Sequence, residues 1–351
     1  MKNYRNFHEF DIDITEDSFT WVDPNEKTHE KWTPFMSFPI TKSCNFNCIY
    51  CGDGGEATAS KSNIIDLETI KKTTEVAIKN NIKKFRITGG EPFLHPKIGE
   101  ILDFFSDLGY YTLVNTNGTM IMENKEIINR LNSNIKFAVS FDTFDENLSK
   151  FISGHNKVDL IIEGIKLLKE KDHLLRLNTV VNNKNYKELD KIFDFCNELN
   201  CDSKLLDIVS VPSPYGDRNN LYQEISTLEE KLMNSSERIL AHEYTRGFGT
   251  PCKRYKVGNI FVTIKNSVKG SHYDIEHKDG ICRECNYIPC HEGLYDIFCL
   301  PDGRLCSCRW TEKQKFENNN EQLQYLIEVF KRSIYYEKNT NADMPRRLEF
   351  D

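Results

Sequence analysis

Three features are missing from this sequence of 351 residues. No apolar run approaches the ~20 residues that a membrane-spanning helix needs, and residues 1–30 are charged, without the apolar core of a signal peptide. No dense cluster of lysine and arginine occurs, and the formal net charge is −7. We therefore predict a cytoplasmic protein that contacts neither a membrane nor nucleic acid.

Cysteine, in contrast, is plentiful and unevenly placed. Of the 12 cysteines, three lie within residues 44–51 and six within residues 282–308, while Cys196, Cys201 and Cys252 stand apart. In a reducing compartment, cysteines are metal ligands, catalytic groups or small buried apolar residues before they are disulfides. Their clustering therefore indicates metal chemistry at two places in the chain.

Short β-rich runs alternate with amphipathic helices between residues 35 and 210. Six strands are predicted there, at residues 35–41, 85–88, 112–115, 137–141, 174–181 and 204–209. This alternation predicts an α/β fold of parallel strands with right-handed crossovers, which is either a doubly wound sheet or a full or partial barrel. In both folds, chemistry gathers at the C-terminal ends of the strands.

The alternation stops near residue 210, at a segment that contains proline and glycine. Beyond it we predict a helix at 227–241, a strand at 257–264, and a hairpin at 294–310 that turns at Asp302-Gly303. We therefore divide the chain into an N-terminal extension (1–33), an α/β core (34–210) and a cysteine-rich α+β region (211–351).

The first cysteine cluster follows the first predicted strand, with the spacing Cys44-x₃-Cys48-x₂-Cys51. Three thiolates can bind three irons of a [4Fe–4S] cubane and leave the fourth iron without a protein ligand. A structural zinc site would need four ligands, usually as paired Cys-x₂-Cys, and no fourth cysteine or histidine lies nearby. The spacing favours an iron–sulfur cluster with one open iron.

A second motif, Thr88-Gly89-Gly90-Glu91-Pro92, follows the second predicted strand. Taken alone, it would be an ordinary strand-to-helix turn. Its glycines let backbone approach a ligand closely, and a carboxylate at a strand end can accept hydrogen bonds from a cationic amine. Ser140 ends the fourth predicted strand and Asn178 lies in the fifth, so these residues are expected to converge with the cysteines on one face.

These motifs resemble the radical S-adenosylmethionine (SAM) superfamily, and within it the branch that contains the molybdenum-cofactor GTP 3′,8-cyclase. The resemblance rests on residues 44–51, 86–92, 116–118, 139–142 and 177–181. It implies a partial (β/α)₆ TIM-like barrel in which Cys44, Cys48 and Cys51 hold a [4Fe–4S] cluster. It also implies reductive cleavage of SAM to a 5′-deoxyadenosyl radical, with electrons from a donor such as flavodoxin or ferredoxin.

The resemblance further implies SAM-binding roles for seven residues, which are Tyr50, Gly89, Gly90, Glu91, Ser140, Asn178 and Val209. Among them, Gly89 and Glu91 are expected to engage the methionyl end of SAM, and Val209 to meet the adenine through its backbone. No side chain is assigned as a catalytic acid or base.

The second cysteine group contains Cys282, Cys285, Cys290, Cys299, Cys306 and Cys308. So many thiols in a short stretch indicate an iron–sulfur or zinc site. The resemblance implies an auxiliary [4Fe–4S] cluster like those of SPASM and twitch enzymes, ligated by Cys282, Cys285 and Cys308, with Cys290 as a fourth candidate. Chain spacing leaves Cys299 as a rival ligand, and the role of Cys306 stays open.

Several positions depart from the GTP cyclases. The strand-one arginine with which that family binds its triphosphate is Ser37 here, and an arginine-rich run is replaced by residues 287–290, although Arg86 is kept. We therefore predict a radical SAM enzyme that abstracts hydrogen from a small molecule or a peptide. Two alternatives stay open: GTP 3′,8-cyclisation, and a non-catalytic scaffold that uses both cysteine groups structurally.

Overall fold

The computed structural model of the protein describes residues 20–22, 29–31, 34–52, 55–57, 60–208, 219–235, 238–240, 252–266, 296–308 and 320–327. Its α-helices are α1 (Leu67–Lys79), α2 (Ile98–Leu108), α3 (Lys125–Arg130), α4 (Glu146–Ser153), α5 (Val158–Glu170), α6 (Leu189–Leu199) and α7 (Ser226–Ser235). Residues 320–327 are also helical. None of the helices in these ranges is long and apolar enough to cross a bilayer.

The strands are β1 (Thr20–Val22), β2 (His29–Lys31), β3 (Phe35–Pro39), β4 (Phe85–Thr88), β5 (Thr112–Thr116), β6 (Ile135–Ser140), β7 (Leu174–Val180), β8 (Asp202–Leu206), β9 (Arg238–Leu240), β10 (Cys252–Val257), β11 (Ile260–Lys265), β12 (Asp296–Cys299) and β13 (Leu305–Cys306). β1 and β2 pair with each other. The others form one sheet in the order β13-β12-β3-β4-β5-β6-β7-β8-β11-β10-β9.

The centre of this sheet is parallel. Strands β3 to β8 lie side by side in chain order, and β12 and β11 extend the parallel run at either side. These six central strands are those predicted from the sequence, so the α/β fold with a barrel-type parallel sheet is confirmed. Because the strands run the same way, the loops that follow them meet at one edge.

Local sequence signals explain where the helices begin and end. The Asp66 side chain accepts a hydrogen bond from the backbone N–H of Thr69 at 2.8 Å and caps α1. Asp145 caps α4 in the same way through Leu148, at 2.7 Å. Gly109 and Gly154 end α2 and α4 with φ values of 76° and 79°, which glycine adopts without steric cost.

The two faces of the sheet have different surroundings. Val139 and Leu177 point to the helices and belong to the main apolar core. The residues beside them, Ala138 and Ser140, point the other way, where Ala138 packs with Phe35 and Leu113, and Ser140 lines a cavity. We call this second side the cavity face.

Two predictions for the C-terminal part were wrong. The helix predicted at 227–241 ends at Ser235, and β9 follows it. The strand predicted at 257–264 is two strands, β10 and β11, joined at Gly258-Asn259. Gly258 has a φ of 61°, as a two-residue hairpin turn requires, so the Gly-Asn dipeptide was the signal that sequence reasoning missed. The hairpin predicted around Asp302-Gly303 is present as β12 and β13.

Candidate functional site

The loop after β3 carries the first cysteine cluster and is held from two sides. The backbone N–H groups of Asn47 and Ile49 donate to the carbonyls of Ser153 and Ile152, at the end of α4, both at 2.9 Å. On the other side, the N–H of Glu91 donates to the carbonyl of Ser43 at 2.8 Å. The cysteine loop is therefore held by backbone bonds to two separate elements.

The loop borders a cavity of about 300 Å³ at the C-terminal ends of the strands. Eight of the residues predicted for the site line it: Cys44, Cys48, Tyr50, Cys51, Gly89, Gly90, Ser140 and Asn178. Glu91 is not among the lining residues, and Val209 lies outside the described residues. Motifs separated by more than 100 residues in the chain thus meet around one cavity.

The two glycines after β4 allow this turn to touch the cysteine loop. A Cβ atom on Gly89 would overlap the carbonyl oxygen of Thr41, and one on Gly90 would overlap that of Ser43. Gly89 also has a φ of 144°. The glycines are required because backbone meets backbone here, and any side chain would push the cysteine loop away.

Glu91 lies beneath the cavity and is fully buried. Its carboxylate accepts hydrogen bonds from the Phe93 N–H at 3.1 Å, the Thr116 hydroxyl at 2.8 Å and the Asn117 N–H at 2.7 Å. Burial outweighs these bonds and raises the pKa of Glu91 to about 7. All of these partners are protein groups, and they join the end of β4 to the end of β5; a contact of Glu91 with SAM stays a prediction.

Asn117, in the turn after β5, reaches the cysteine loop. Its side-chain amide donates to the Asn45 side chain at 2.7 Å and lies 4.0 Å from the sulfur of Cys44. Asn45 in turn donates to the Thr119 hydroxyl at 2.9 Å. Glu91 thus orients Asn117, and Asn117 holds the first part of the cysteine loop.

Tyr50 and Asp142 join the second half of the cysteine loop to the strands. The Tyr50 hydroxyl donates to one carboxylate oxygen of Asp142 at 2.5 Å, and the other oxygen accepts from the Val180 N–H at 2.8 Å. Burial raises the pKa of Asp142 to about 6. Asp142 lines the cavity but was not assigned to the site from the sequence; its place directly after the fourth predicted strand was the available signal.

Two arginines that could have met a polyanion lie on the cavity face with protein partners. Arg86 contacts Asp296 at 2.5 Å and donates to the Ser37 hydroxyl at 3.1 Å. Arg176 donates to the Asn178 side chain at 2.9 Å. The retained Arg86 therefore joins β4 to β12.

Of the second cysteine group, Cys299, Cys306 and Cys308 lie within the described residues, whereas Cys282, Cys285 and Cys290 lie outside them. Cys299 is fully buried in the apolar core, 3.6 Å from the Thr73 hydroxyl of α1, and burial raises its pKa to about 12. Cys306 and Cys308 are partly exposed. These environments separate Cys299 from the other two.

Several known proteins are similar to this chain in sequence or in fold. Residues 38–196 match the radical SAM superfamily. The probable GTP 3′,8-cyclase of Methanothermobacter thermautotrophicus is 25% identical over 319 residues, which cover 86% of this chain and 96% of the relative. The probable GTP 3′,8-cyclase of Sulfurisphaera tokodaii is 27% identical over 287 residues, 79% of this chain and 82% of the relative.

A solved structure with a similar fold is SuiB of Streptococcus suis bound to S-adenosylmethionine. It superimposes with a TM-score of 0.58 at 17% identity and covers 82% of this chain. The match spans 63% of the length of SuiB. SuiB has also been solved with its precursor peptide SuiA, with the same TM-score. At this level of identity, the likeness concerns the fold.

Proposed function

We propose that this chain is a radical SAM enzyme and that Cys44, Cys48 and Cys51 hold its [4Fe–4S] cluster. The observation that carries the proposal is that these three thiols border one cavity, which no histidine and no fourth cysteine lines among the described residues. Three ligands leave one iron for SAM. When bound, the cluster and SAM supply a 5′-deoxyadenosyl radical that takes hydrogen from the substrate.

Two observations support the fit of this cavity to a cluster and SAM. Burial raises the pKa of Cys44 to about 11 and that of Cys48 well above its ordinary value, and a bound metal would favour the thiolate of each. The side-chain oxygen of Asn115 lines the cavity and is buried without a hydrogen-bond partner among the described residues. It offers an acceptor to a ligand donor.

The remaining lining residues divide into polar and apolar groups. Tyr50, Gly89, Gly90, Ser140 and Asn178 are the polar and backbone groups that we assign to SAM, together with Val209 outside the described residues. In this proposal Glu91 acts by holding Asn117 and the cysteine loop, through the bonds described above. The apolar lining residues Phe46, Ile152, Val158 and Ile161 exclude water from the site.

We extend the proposal to the C-terminal region. Cys282, Cys285, Cys290 and Cys308 are the proposed ligands of an auxiliary [4Fe–4S] cluster. The proposed division of the chain is a core at 34–210, an extension at 1–33 and an auxiliary region at 211–351. A reducing donor such as flavodoxin or ferredoxin supplies the electron. The substrate is a small molecule or a peptide.

GTP 3′,8-cyclisation is the second candidate, because two relatives named probable GTP 3′,8-cyclase align with 86% of this chain and 96% of their own length. Two features of the cavity face count against it. Ser37 replaces an arginine of that family. Arg86 forms an ion pair with Asp296, so the charge of its guanidinium is already compensated by the protein. Both features reduce the positive charge available for a triphosphate.

Anaerobic reconstitution tests the proposal. The wild-type chain is expected to bind about eight irons and to form 5′-deoxyadenosine from SAM under reduction. Cys44→Ala, Cys48→Ala and Cys51→Ala should each abolish 5′-deoxyadenosine, whereas Cys196→Ala, in the buried core, should not. Bound zinc without SAM cleavage contradicts the proposal. Stimulation of SAM turnover by GTP, with a cyclised product, would select the second candidate.

A further inference from the structure

A row of side chains crosses four neighbouring strands on the cavity face. Cys306 of β13 pairs with Phe298 of β12, Phe298 with Ser37 of β3, and Ser37 with Arg86 of β4. Residues directly opposite each other in adjacent strands point to the same face. Two residues beyond Arg86, Thr88 points the same way and lines the cavity, so the whole row lies on the cavity face.

Contacts between side chains agree with this placement. Arg86 donates to the Ser37 hydroxyl at 3.1 Å, and the carbon of its guanidinium lies 5.6 Å from the centre of the Phe298 ring. These contacts require all three side chains to be on one side of the sheet. The register then places the thiol of Cys306 beside the Phe298 ring, on that same side.

Cys308 lies two residues after Cys306, just past the end of β13. Leu305 and Ser307 are each only 2% exposed, whereas Cys306 and Cys308 are partly exposed. The chain bends at Ser307, so the strand register places only Cys306 on the cavity face. Cys308 is its close neighbour along the chain.

Cys299 lies on the opposite side. It pairs with Leu305, not with Cys306, and both Cys299 and Leu305 belong to the apolar core against the helices. The sheet separates its sulfur from the thiol of Cys306. The register thus excludes the rival ligand that chain spacing alone suggests.

We propose that Cys306 is a ligand of the auxiliary cluster together with Cys308, an assignment that rests on the auxiliary cluster of the proposed function. Cys306 pairs with Phe298, one residue before β12 ends, so it lies near the C-terminal ends of the parallel strands, where the first cysteine loop lies. In this assignment Cys306 takes the place of Cys290, and the four cysteine ligands are Cys282, Cys285, Cys306 and Cys308. The cluster then has no open iron toward the cavity, and it transfers electrons instead of binding substrate.

The experiment isolates the auxiliary site by removing the first one. In the full-length Cys44→Ala/Cys48→Ala/Cys51→Ala variant, about four irons should remain after reconstitution. Adding Cys306→Ser or Cys308→Ser should each lower the iron content or change the electron paramagnetic resonance spectrum of the reduced cluster. Adding Cys299→Ser, the matched control on the other face, should change neither.

A second measurement uses the wild-type chain, so it does not require that any variant folds. In reconstituted protein, Cys306 should resist alkylation, as read by mass spectrometry, and after iron removal it should react. Equal alkylation of Cys306 in both states, or an unchanged spectrum in Cys306→Ser together with a changed one in Cys290→Ser, overturns the assignment. Loss of all iron from the triple variant shows instead that the auxiliary cluster itself does not form. That result removes the proposed auxiliary cluster together with the assignment of Cys306.

Discussion

At the scale of single residues, the hydrogen bond between Tyr50 and Asp142 links the cysteine loop to β6 and β7. Its oxygen–oxygen distance is 2.5 Å, and Asp142 also accepts from Val180. A bond to a buried carboxylate contributes about 1.5–3 kcal/mol. Because Tyr50 also lines the cavity, this bond positions its side chain for a ligand.

We expect Tyr50→Phe and Asp142→Asn each to weaken SAM binding to the reconstituted enzyme by about tenfold. The double variant should be no weaker than the worse single variant, because both changes remove the same bond. Equilibrium SAM binding measures this. Tyr186→Phe is the control, since its hydroxyl makes only a 3.3 Å exposed contact with Thr227. Additive losses would show that the two side chains act separately.

Glu91 gives a pH dependence with a defined sign. Burial raises its pKa to about 7 from an ordinary value of 4.5, so the folded chain binds this proton more tightly than the unfolded chain does. The contribution of Glu91 to the free energy of unfolding should therefore fall as pH rises from about 4.5 to 7, by an amount on the order of 3 kcal/mol, and stay level above that.

Denaturant unfolding of the metal-free chain across this pH range measures the effect. Glu91→Gln should show a shallower pH dependence than wild type. Some dependence should remain, because burial also raises the pKa of Asp142, to about 6. Identical slopes for the two chains would mean that Glu91 is ionised throughout this range.

At the scale of elements, an ion pair between Arg86 and Asp296 joins β4 to β12, in addition to the backbone pairing of β12 with β3. Arg86 and Asp296 have side chains that are 17% and 9% exposed, so breaking the pair leaves a poorly solvated charge. In the sheet, Phe298 of β12 lies between Ser37 of β3 and Cys306 of β13. Any loosening of β12 therefore moves the hairpin that bears Cys306 and Cys308.

Asp296→Ala should lower the free energy of unfolding by about 3 kcal/mol and should speed amide hydrogen exchange in 297–299 and 305–306. Arg130→Ala is the control, because the Arg130–Asp103 pair is 49% and 41% exposed, and its loss should cost about 1 kcal/mol or less. Exchange that is unchanged in Asp296→Ala would show that β12 is held by its backbone bonds alone.

At the scale of the whole molecule, the sheet crosses the boundary predicted near residue 210. β11 pairs with β8, and β12 pairs with β3, so both sides of the six-stranded core are covered by later strands. A chain cut after residue 210 exposes the backbone of both strands. Uncovered parallel edges pair with other molecules.

We therefore expect the 34–210 fragment to self-associate, whereas the full chain does not do so through these edges. Size-exclusion chromatography with light scattering at several concentrations measures this. A fragment that stays monomeric and keeps the helical content of its elements would show that the core is independent of the C-terminal strands. The proposed domain boundary would then be a folding boundary as well.

Much of the site could be predicted because its signals are local. The cysteine spacing, the glycines after β4 and the caps at Asp66 and Asp145 each act within a few residues, through backbone geometry and short hydrogen bonds. The same locality explains the six central strands, whose periodicity and turns lie next to each other in the chain.

The sequence by itself determined which chemical groups are available, namely the clustered thiols and the Gly-Gly turn after β4, and it determined the alternation of strands and helices. Only the tertiary structure decided which groups meet across long stretches of chain. It turned the Glu91 carboxylate toward Asn117, paired Arg86 with Asp296, and placed Cys299 and Cys306 on opposite faces of the sheet. The physical reason is register: a strand that slips by one residue turns every side chain to the other face, and only contacts with distant neighbours fix that choice.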